Sequence, residues 1–335
     1  GYGGAMIVEL IFAALLAFFV TAVSGKLIIP YLRKLKIGQS ILEIGPKWHM
    51  GKQGTPTMGG IMFILGSGIS VFLAGLPQML QGDVRHILIF AFAAIFGWIG
   101  YIDDYAKVVK KRNKGLTVMQ KLILQFTAAA VFLSFLRYLG DFTSNLYIPF
   151  IDYTIPVSWV PYLIFMLIFI VGFVNGANLT DGVDGLAACV TLPVLLMFAV
   201  IGALSQTTGA ALVSASLSGA LFGFLIYNYN PAKVFMGDTG SLFIGGAVCA
   251  LAFAYDMPLI LLIAGIVYVI EAASVIIQVL YFKLTNGKRV FKMAPLHHHY
   301  EMCGMSEKRI CSVFAAVSAL GCAIGFFSII SRLFM

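Results

Sequence analysis

Ten runs of mainly apolar residues dominate the sequence, and most are long enough to cross a lipid bilayer as a helix. A spanning helix needs about 20 such residues, because the hydrocarbon core of a membrane is about 30 Å thick. With 60% hydrophobic and only 11% charged residues, an ordinary soluble domain is excluded. We therefore predict an all-α integral membrane protein with about ten transmembrane helices. The runs lie at 7–30, 58–75 (glycine-rich), 86–102, 118–137, 159–175, 185–204, 210–227, 241–255 (short), 258–282 and 310–331.

Basic residues are distributed unevenly between the two sides that ten spans would define. The loops after the first, third, fifth, seventh and ninth runs hold 17 Lys and Arg residues, whereas the opposite side holds Arg85, Arg137 and Arg332. Cytoplasmic loops of membrane proteins carry an excess of Lys and Arg. We therefore expect the basic loops to be cytoplasmic and both termini to be periplasmic, which also explains the net charge of +8.

The chain has no internal repeat and no linker that would divide it. The five residues GYGGA before Met6 look like a remnant of an expression vector, so we expect a single polytopic transmembrane domain over 6–335. The five cysteines have no paired spacing and lie mostly in apolar runs. This pattern predicts buried thiols rather than disulfides or a zinc site.

Five carboxylates fall at the expected cytoplasmic ends of apolar runs: Asp103, Asp104, Asp181, Asp184 and Asp238. Any one of them alone could be a solvated helix end, and Asp103 could simply pair with Lys107 four residues later. Adjacent acids repel each other, however, and a cation should hold them together. Mg²⁺ prefers carboxylate oxygens and keeps waters that substrate phosphates can replace. The acids therefore indicate a magnesium and phosphate site at one face of the membrane.

Two further polar motifs accompany these acids. Asn178, Asp181 and Asp184 recur every three residues, which predicts that one helical face presents all three. The sequence GDTGS at 237–241 opens an apolar run, and the free N–H groups of a helix start suit a phosphate or a metal-bound acid. A polar turn for the first motif, and a plain N-cap by Asp238 or Thr239 for the second, are the alternatives.

The remaining candidates are histidines, lysines and one buried acid. His297, His298 and His299 are consecutive, so their rings point in different directions and do not readily share a zinc ion; they suit a phosphate or nucleotide better, with a solvated loop as the alternative. Lys52, Lys107 and Lys121 are the cations that we expect to bind phosphates. Glu271 lies inside the run at 258–282, where an ionisable group has either a function or a hydrogen bond to a neighbouring helix.

Five of these motifs resemble, in the same order, those of the polyprenyl-phosphate N-acetylhexosamine-1-phosphate transferases. The triple-histidine loop and the KQGTPTMGG stretch are similar to the bacterial phospho-N-acetylmuramoyl-pentapeptide transferase branch of that superfamily. The resemblance covers 6–335. The motifs are KQGTPTMGG at 52–60, DDYAK at 103–107, NLTDGVDGLA at 178–187, FMGDTGSL at 235–242 and PLHHHYE at 295–301.

The resemblance implies a homodimer in the bacterial inner membrane, with ten transmembrane helices, Mg²⁺ dependence and a cytoplasmic active site. It implies transfer of phospho-MurNAc-pentapeptide from UDP-MurNAc-pentapeptide to undecaprenyl phosphate, giving lipid I and UMP in peptidoglycan synthesis. It also places the metal on Asp238 and the uracil against Phe235, and it makes the site a target of nucleoside antibiotics.

On this basis we expect Asp103, Asp104, Asp238 and Lys107 to be catalytic, with Asp238 as the Mg²⁺ ligand. Asp103 could act as general base, as nucleophile or by position alone. A phosphate monoester loses its second proton near pH 6, so a base would add little at neutral pH. The residues that we expect to bind the substrates are Lys52, Lys121, Asn175, Asn178, Asp181, Asp184, Asn228, Phe235, Gly237, His297, His298 and His299.

Three other functions remain open at this point. A related transferase would use UDP-GlcNAc as donor. An ion-coupled transporter would also need buried carboxylates, but transporter sites tend to lie near the bilayer midplane, whereas these acids cluster at one face. A lipid-binding scaffold without catalysis is the third alternative.

Overall fold

The structure is a computed structural model that describes residues 2–35, 54–109, 115–140 and 143–333. Within these ranges the chain is almost entirely helical, with a single two-stranded antiparallel sheet formed by β1 (Asn145–Ile148) and β2 (Tyr153–Pro156). The helices are α1 (Tyr2–Lys34), α2 (Gly60–Ala74), α3 (Leu76–Leu80), α4 (Arg85–Val109), α5 (Val118–Leu139), α6 (Trp159–Thr180), α7 (Leu186–Leu204), α8 (Thr208–Asn228), α9 (Gly237–Ala254), α10 (Leu261–Ala264), α11 (Ile266–Leu284), α12 (Leu296–Met302), α13 (Glu307–Ser328) and α14 (Ile330–Leu333).

In the described part of the chain, nine helices are long and apolar enough to cross a membrane: α1, α4, α5, α6, α7, α8, α9, α11 and α13. The prediction of an all-α integral membrane protein is therefore confirmed. Helix α1 begins at Tyr2, so it extends into the five leading residues that the sequence analysis set aside.

Two of the ten apolar runs form something other than one long helix. The run at 58–75 gives α2, whose 15 residues span only about 22 Å at 1.5 Å each, because Met58 adopts a left-handed φ of 66° and the helix begins after it. The run at 258–282 is interrupted: Pro258 opens a short 3₁₀ turn, α10 follows, and Gly265 separates α10 from α11.

Helices α8 and α9 lie at the centre of the bundle, and both are buried on nearly every face. A helix that is apolar all round is expected in such a position. Small residues allow its neighbours to approach closely, as where Gly245 of α9 packs against Val174 of α6 and Gly246 packs against Phe96 of α4. Hydroxyl groups add interhelical bonds, since Ser70 of α2 contacts Ser216 of α8 at 3.0 Å.

Helices α4 and α9 pack closely together where they carry two of the acidic motifs. A Cβ added at Gly100 of α4 would overlap the backbone carbonyl of Asp238, at the start of α9. Only glycine therefore permits this contact. It brings the C-terminal part of α4, which carries Asp103 and Asp104, against the first turn of α9.

We expect Gly100→Ala to destabilise the protein by about 1–3 kcal/mol, because the methyl group forces α4 away from α9. Thermal unfolding in detergent measures the effect. Gly172→Ala is the matched control, since Gly172 lies in α6, is exposed, and has open space around the added methyl group. An unchanged melting temperature in Gly100→Ala would contradict the packing described here.

Candidate active site

Three carboxylates from two helices meet at one end of the bundle. Asp103 and Asp104 lie near the end of α4, and Asp238 lies in the first turn of α9. One oxygen atom from each lies within 4.8 Å of the others. Asp103 and Asp104 are each only 3% exposed, so water does little to screen their repulsion. The cluster therefore needs positive partners from the protein or from a bound cation.

Two lysines supply part of that positive charge. Oδ2 of Asp238 contacts Nζ of Lys107 at 3.0 Å and Nζ of Lys121, in the first turn of α5, at 2.9 Å. Lys107 also contacts Oδ2 of Asp103 at 2.7 Å and Oδ1 of Asp104 at 3.5 Å. The pairing of Asp103 with Lys107 that the spacing predicts is thus present, but as one part of a larger network.

Neutral donors hold the remaining oxygen atoms in place. Oδ1 of Asp238 accepts a hydrogen bond of 2.8 Å from Nδ2 of Asn178, near the end of α6. Oδ2 of Asp104 accepts from both the backbone N–H and the hydroxyl of Thr239, at 2.9 and 2.8 Å. Asp104 therefore caps the N-terminus of α9 from a different helix, which satisfies a backbone donor that the helix itself cannot. Oδ1 of Asp103 accepts from the backbone N–H of Leu116 at 2.8 Å.

Asp181 lies beside this cluster without a basic side chain of its own among its recorded contacts. Burial raises the pKa of Asp181 well above its usual range, and the nearby carboxylates Asp238, Asp104 and Asp184 raise it further, while a backbone hydrogen bond from Gly237 opposes them. Among the described residues, the acids Asp103, Asp104, Asp181 and Asp238 face two ammonium groups. One divalent cation would supply the two missing positive charges, and carboxylate oxygens are the donors that Mg²⁺ prefers. The residues present therefore fit such an ion.

The acids of the 178–187 motif do not share one helical face, so that expectation is wrong. Helix α6 ends at Thr180, and Asp181 and Asp184 lie in the turn before α7, where Gly182 and Gly185 interrupt the helix. Oδ2 of Asp184 instead accepts from Nδ2 of Asn230 at 3.2 Å and from the backbone N–H of Ala232 at 2.9 Å. Asp184 thus anchors the loop that leads to α9.

Two predicted asparagines also make contacts within the protein. Nδ2 of Asn175, one turn before Asn178, donates to Oε1 of Gln125 in α5 at 2.7 Å. Nδ2 of Asn228 donates to the backbone carbonyl of Val234 at 2.9 Å and so ties together the two ends of the loop between α8 and α9. Both amides position elements that carry the acids.

The segment before α2 pairs with the segment before α9. The backbone N–H of Phe235 donates to Pro56, and the carbonyl of Phe235 accepts from Gly59, each at 2.8 Å. Phe235 is half-buried beside this pairing. Gly237 has a φ of +69°, and a Cβ there would lie 2.6 Å from Oδ2 of Asp104, so glycine is required. Lys52 lies outside the described residues.

The three histidines point in different directions, as their consecutive positions predict. Nδ1 of His298 contacts Oε2 of Glu301 at 2.6 Å, and Nδ1 of His299 accepts from the backbone N–H of Lys292 at 3.1 Å. His297 lies against the acidic turn, since a Cβ at Gly182 would overlap its Nε2 atom.

Several residues that organise this site are not marked as functional by the sequence motifs. Ser241 accepts from Nδ2 of Asn178 at 2.7 Å, and Gln125 holds Asn175. Gln125 follows Lys121 by four residues on α5, so a second polar group on the same face of an apolar helix was the available signal. Thr239 and Ser241 stand in the GDTGS motif, but their partners come from α4 and α6, which the sequence does not specify.

Comparisons with known proteins agree with these motifs. The Glycosyl transferase family 4 model matches residues 86–256, and Phospho-N-acetylmuramoyl-pentapeptide-transferase signature 1 matches residues 52–64. A phospho-N-acetylmuramoyl-pentapeptide-transferase of Caldanaerobacter subterraneus subsp. tengcongensis is 45% identical over 97% of this chain and 100% of its own length. Proteins of the same name from Clostridium kluyveri and Listeria innocua are 45% and 43% identical over 96% and 92% of this chain, and over 99% and 94% of their own lengths.

We expect Asp181→Asn to stabilise the protein at neutral pH when a chelator keeps divalent cations away. Because the pKa of Asp181 is raised by folding, its contribution to stability is greatest below the unfolded value of about 3.9 and is lost as the pH rises through the folded value. The melting temperature should therefore fall less steeply with rising pH in Asp181→Asn than in the original chain.

Asp152→Asn is the control, since Asp152 is an exposed acid in the turn between β1 and β2. A neutral-pH melting temperature of Asp181→Asn at or below that of the unaltered protein would contradict the charge deficit inferred for the cluster.

Proposed function

The chain belongs to the phospho-N-acetylmuramoyl-pentapeptide-transferase family, and we propose that it transfers phospho-MurNAc-pentapeptide from UDP-MurNAc-pentapeptide to undecaprenyl phosphate. The products are lipid I and UMP, as in peptidoglycan synthesis. The observation that carries the proposal is the cluster of Asp103, Asp104 and Asp238 at the ends of two membrane helices, with Lys107 and Lys121 bound to it. Full-length similarity to proteins named for this transfer supports the same conclusion.

The chemistry requires two phosphorylated reactants to approach each other against their mutual repulsion. Phosphoryl transfer of this kind depends mainly on positioning and on neutralisation of charge. Asp238 would hold Mg²⁺, with Asp103, Asp104 and Asp181 around it, and the ion would neutralise phosphate oxygens and polarise the reacting phosphoryl group. Lys107 and Lys121 bring two further cations to the same place, and the Lys107 side chain is 35% exposed.

The contacts of Asp103 support a positioning role for this residue. One of its oxygen atoms is held by Lys107 and the other by the backbone of Leu116, so its orientation is fixed by donors on both sides. The acceptor phosphate is already mostly dianionic at neutral pH and needs little help from a base. We propose direct, in-line attack, which predicts inversion at phosphorus; retention would instead indicate a phospho-enzyme on Asp103.

The choice of donor would distinguish this protein from other transferases of the same superfamily. A transferase that uses UDP-GlcNAc would have the same acids and metal chemistry. We propose the muramoyl-pentapeptide donor because the signature at 52–64 carries that name. Release of UMP from UDP-GlcNAc but not from UDP-MurNAc-pentapeptide by the purified protein would reject this choice.

We also propose that the site faces the cytoplasm of a bacterial inner membrane, that both termini are periplasmic and that the protein is a homodimer. The excess of basic residues in the loops on the side of the acids supports the first two statements, the second of which requires the short helix α2 to cross the membrane as a tenth span. A water-soluble donor and a lipid acceptor meet naturally at such an interface.

Asp238→Asn should lower the rate of UMP release from UDP-MurNAc-pentapeptide and undecaprenyl phosphate by at least about 100-fold, the usual effect of losing one charge-stabilising group. Purified protein is assayed with and without Mg²⁺, and binding of Mn²⁺ is followed by electron paramagnetic resonance as a readout that does not depend on turnover. Asp152→Asn is the control. Full activity of Asp238→Asn, or full activity of the unaltered protein in a chelator, would contradict the metal assignment.

Cys303 offers a test of membrane orientation in the chain as it stands. It lies between α12 and α13 and is exposed, unlike the buried thiol that the sequence predicts, whereas Cys189 is half-buried and Cys249, Cys311 and Cys322 are buried. A membrane-impermeant maleimide should label Cys303 in inverted membrane vesicles but not in intact spheroplasts, and Cys303→Ser should remove the label. Labelling in spheroplasts alone would place the α12 loop, and with it the proposed site, outside the cell.

A further inference from the structure

Glu271 is a fully buried acid in the membrane helix α11, and both of its carboxylate oxygens contact a single residue. Oε2 lies 2.9 Å from Nδ1 of His297, and Oε1 accepts a hydrogen bond of 3.2 Å from the backbone N–H of the same residue. Glu271 is 0% exposed and His297 is 1% exposed. An ionisable group in such a place is expensive to bury and usually has a function.

The other ring nitrogen of His297, Nε2, is not in contact with Glu271. Nε2 of His297 is buried and has no hydrogen-bond partner among the described residues. It lies against Gly182, where a Cβ would overlap it, so the ring points into the turn between Asp181 and Asp184. An unpaired buried polar atom destabilises a protein, and natural proteins keep such atoms mainly where a water, an ion, a ligand or a catalytic role completes them.

The acid also determines which nitrogen of the ring carries the proton. With Glu271 as a carboxylate, which can only accept hydrogen bonds, Nδ1 of His297 holds the proton that lies between them. In the neutral ring, Nε2 is then left with its lone pair directed at the acidic turn. Carboxylate partners fix the orientation and tautomer of functional histidines in this way.

We propose that Glu271 is a positioning residue for the transferase site: it holds His297 as the Nδ1–H tautomer with Nε2 aimed at the turn 181–185, whose acids Asp181 and Asp184 the sequence motif predicts to bind substrate. This inference rests on the proposed function, because it assigns Glu271 a part in the same site. Glu271 itself contacts the ring and the backbone of His297, and it acts through that residue.

The competing explanation is that Glu271 only pins the start of α12 through the backbone N–H of His297. Glu271→Gln separates the two, because glutamine keeps the volume and keeps an oxygen that accepts from the backbone. Its amide group would donate to Nδ1, so the ring proton would move to Nε2. A purely structural pin would survive this change, whereas the tautomer would not.

The direct measurement is ¹⁵N nuclear magnetic resonance of the protein labelled at histidine, which distinguishes a protonated from an unprotonated ring nitrogen. Loss of signals in His297→Asn identifies those of His297. We expect a protonated Nδ1 in the unaltered chain and a protonated Nε2 in Glu271→Gln. Ser274→Ala is the matched control: Ser274 is buried on the same helix and bonds only to the backbone carbonyl of Glu271 among its recorded partners, at 2.7 Å. A protonated Nε2 in the unaltered chain, or the same tautomer in Glu271→Gln, would overturn the proposal.

Kinetics of UMP release provide a second test of the role of Glu271. Glu271→Gln should lower kcat/KM by about 10- to 100-fold, as loss of such a supporting acid does, while the melting temperature stays close to that of Ser274→Ala. The double variant Glu271→Gln/His297→Asn should be no less active than His297→Asn alone, because Glu271 acts through the ring. Multiplying effects would overturn the proposal. If the unaltered chain releases no UMP, the proposed function fails, and the tautomer measurement still decides the role of Glu271.

Discussion

The mutual repulsion of buried carboxylates is the constraint around which the polar end of this bundle is built. Asp103, Asp104 and Asp238 can lie within 4.8 Å of one another only because two lysines, an asparagine and the start of a helix hold their oxygen atoms. These partners come from α4, α5, α6 and α9, so the same interactions that balance the charge also fix how four membrane helices meet. Glycine at position 100 then sets the distance at which α4 and α9 cross.

The apolar runs predicted most of the fold, because the thickness of a bilayer leaves few structures open to a chain of this composition. Two departures have local causes that periodicity does not contain: the left-handed Met58 shortens α2, and Gly265 divides the ninth run. The gathering of Asp103 and Asp238 followed from their positions at the ends of runs on one side. Which acids touch which cations did not follow, because that depends on helix rotation and on crossings between residues more than 100 positions apart.

Asp184 and Glu271 show in two different ways that a sequence motif does not specify the partners of an acid. Asp184 stands in a dense polar motif, yet its recorded bonds hold the 230–232 loop within the protein. Glu271 stands alone in an apolar helix, where the sequence left a structural bond and a function equally open, and its partner His297 comes from a different motif. Composition identifies polar residues that are expensive to bury, but only the packed structure shows what each of them holds.

The excess of acid over base around Asp181 would have a thermodynamic consequence for binding of the proposed metal ion. With its pKa raised by burial and by three nearby carboxylates, Asp181 takes up a proton more readily than an ordinary aspartate when no cation is bound. A divalent ion that enters the cluster should expel that proton, so binding and proton release are linked. The apparent affinity for the ion should then weaken as the solution becomes more acidic, and calorimetric binding heats should change with the ionisation enthalpy of the buffer.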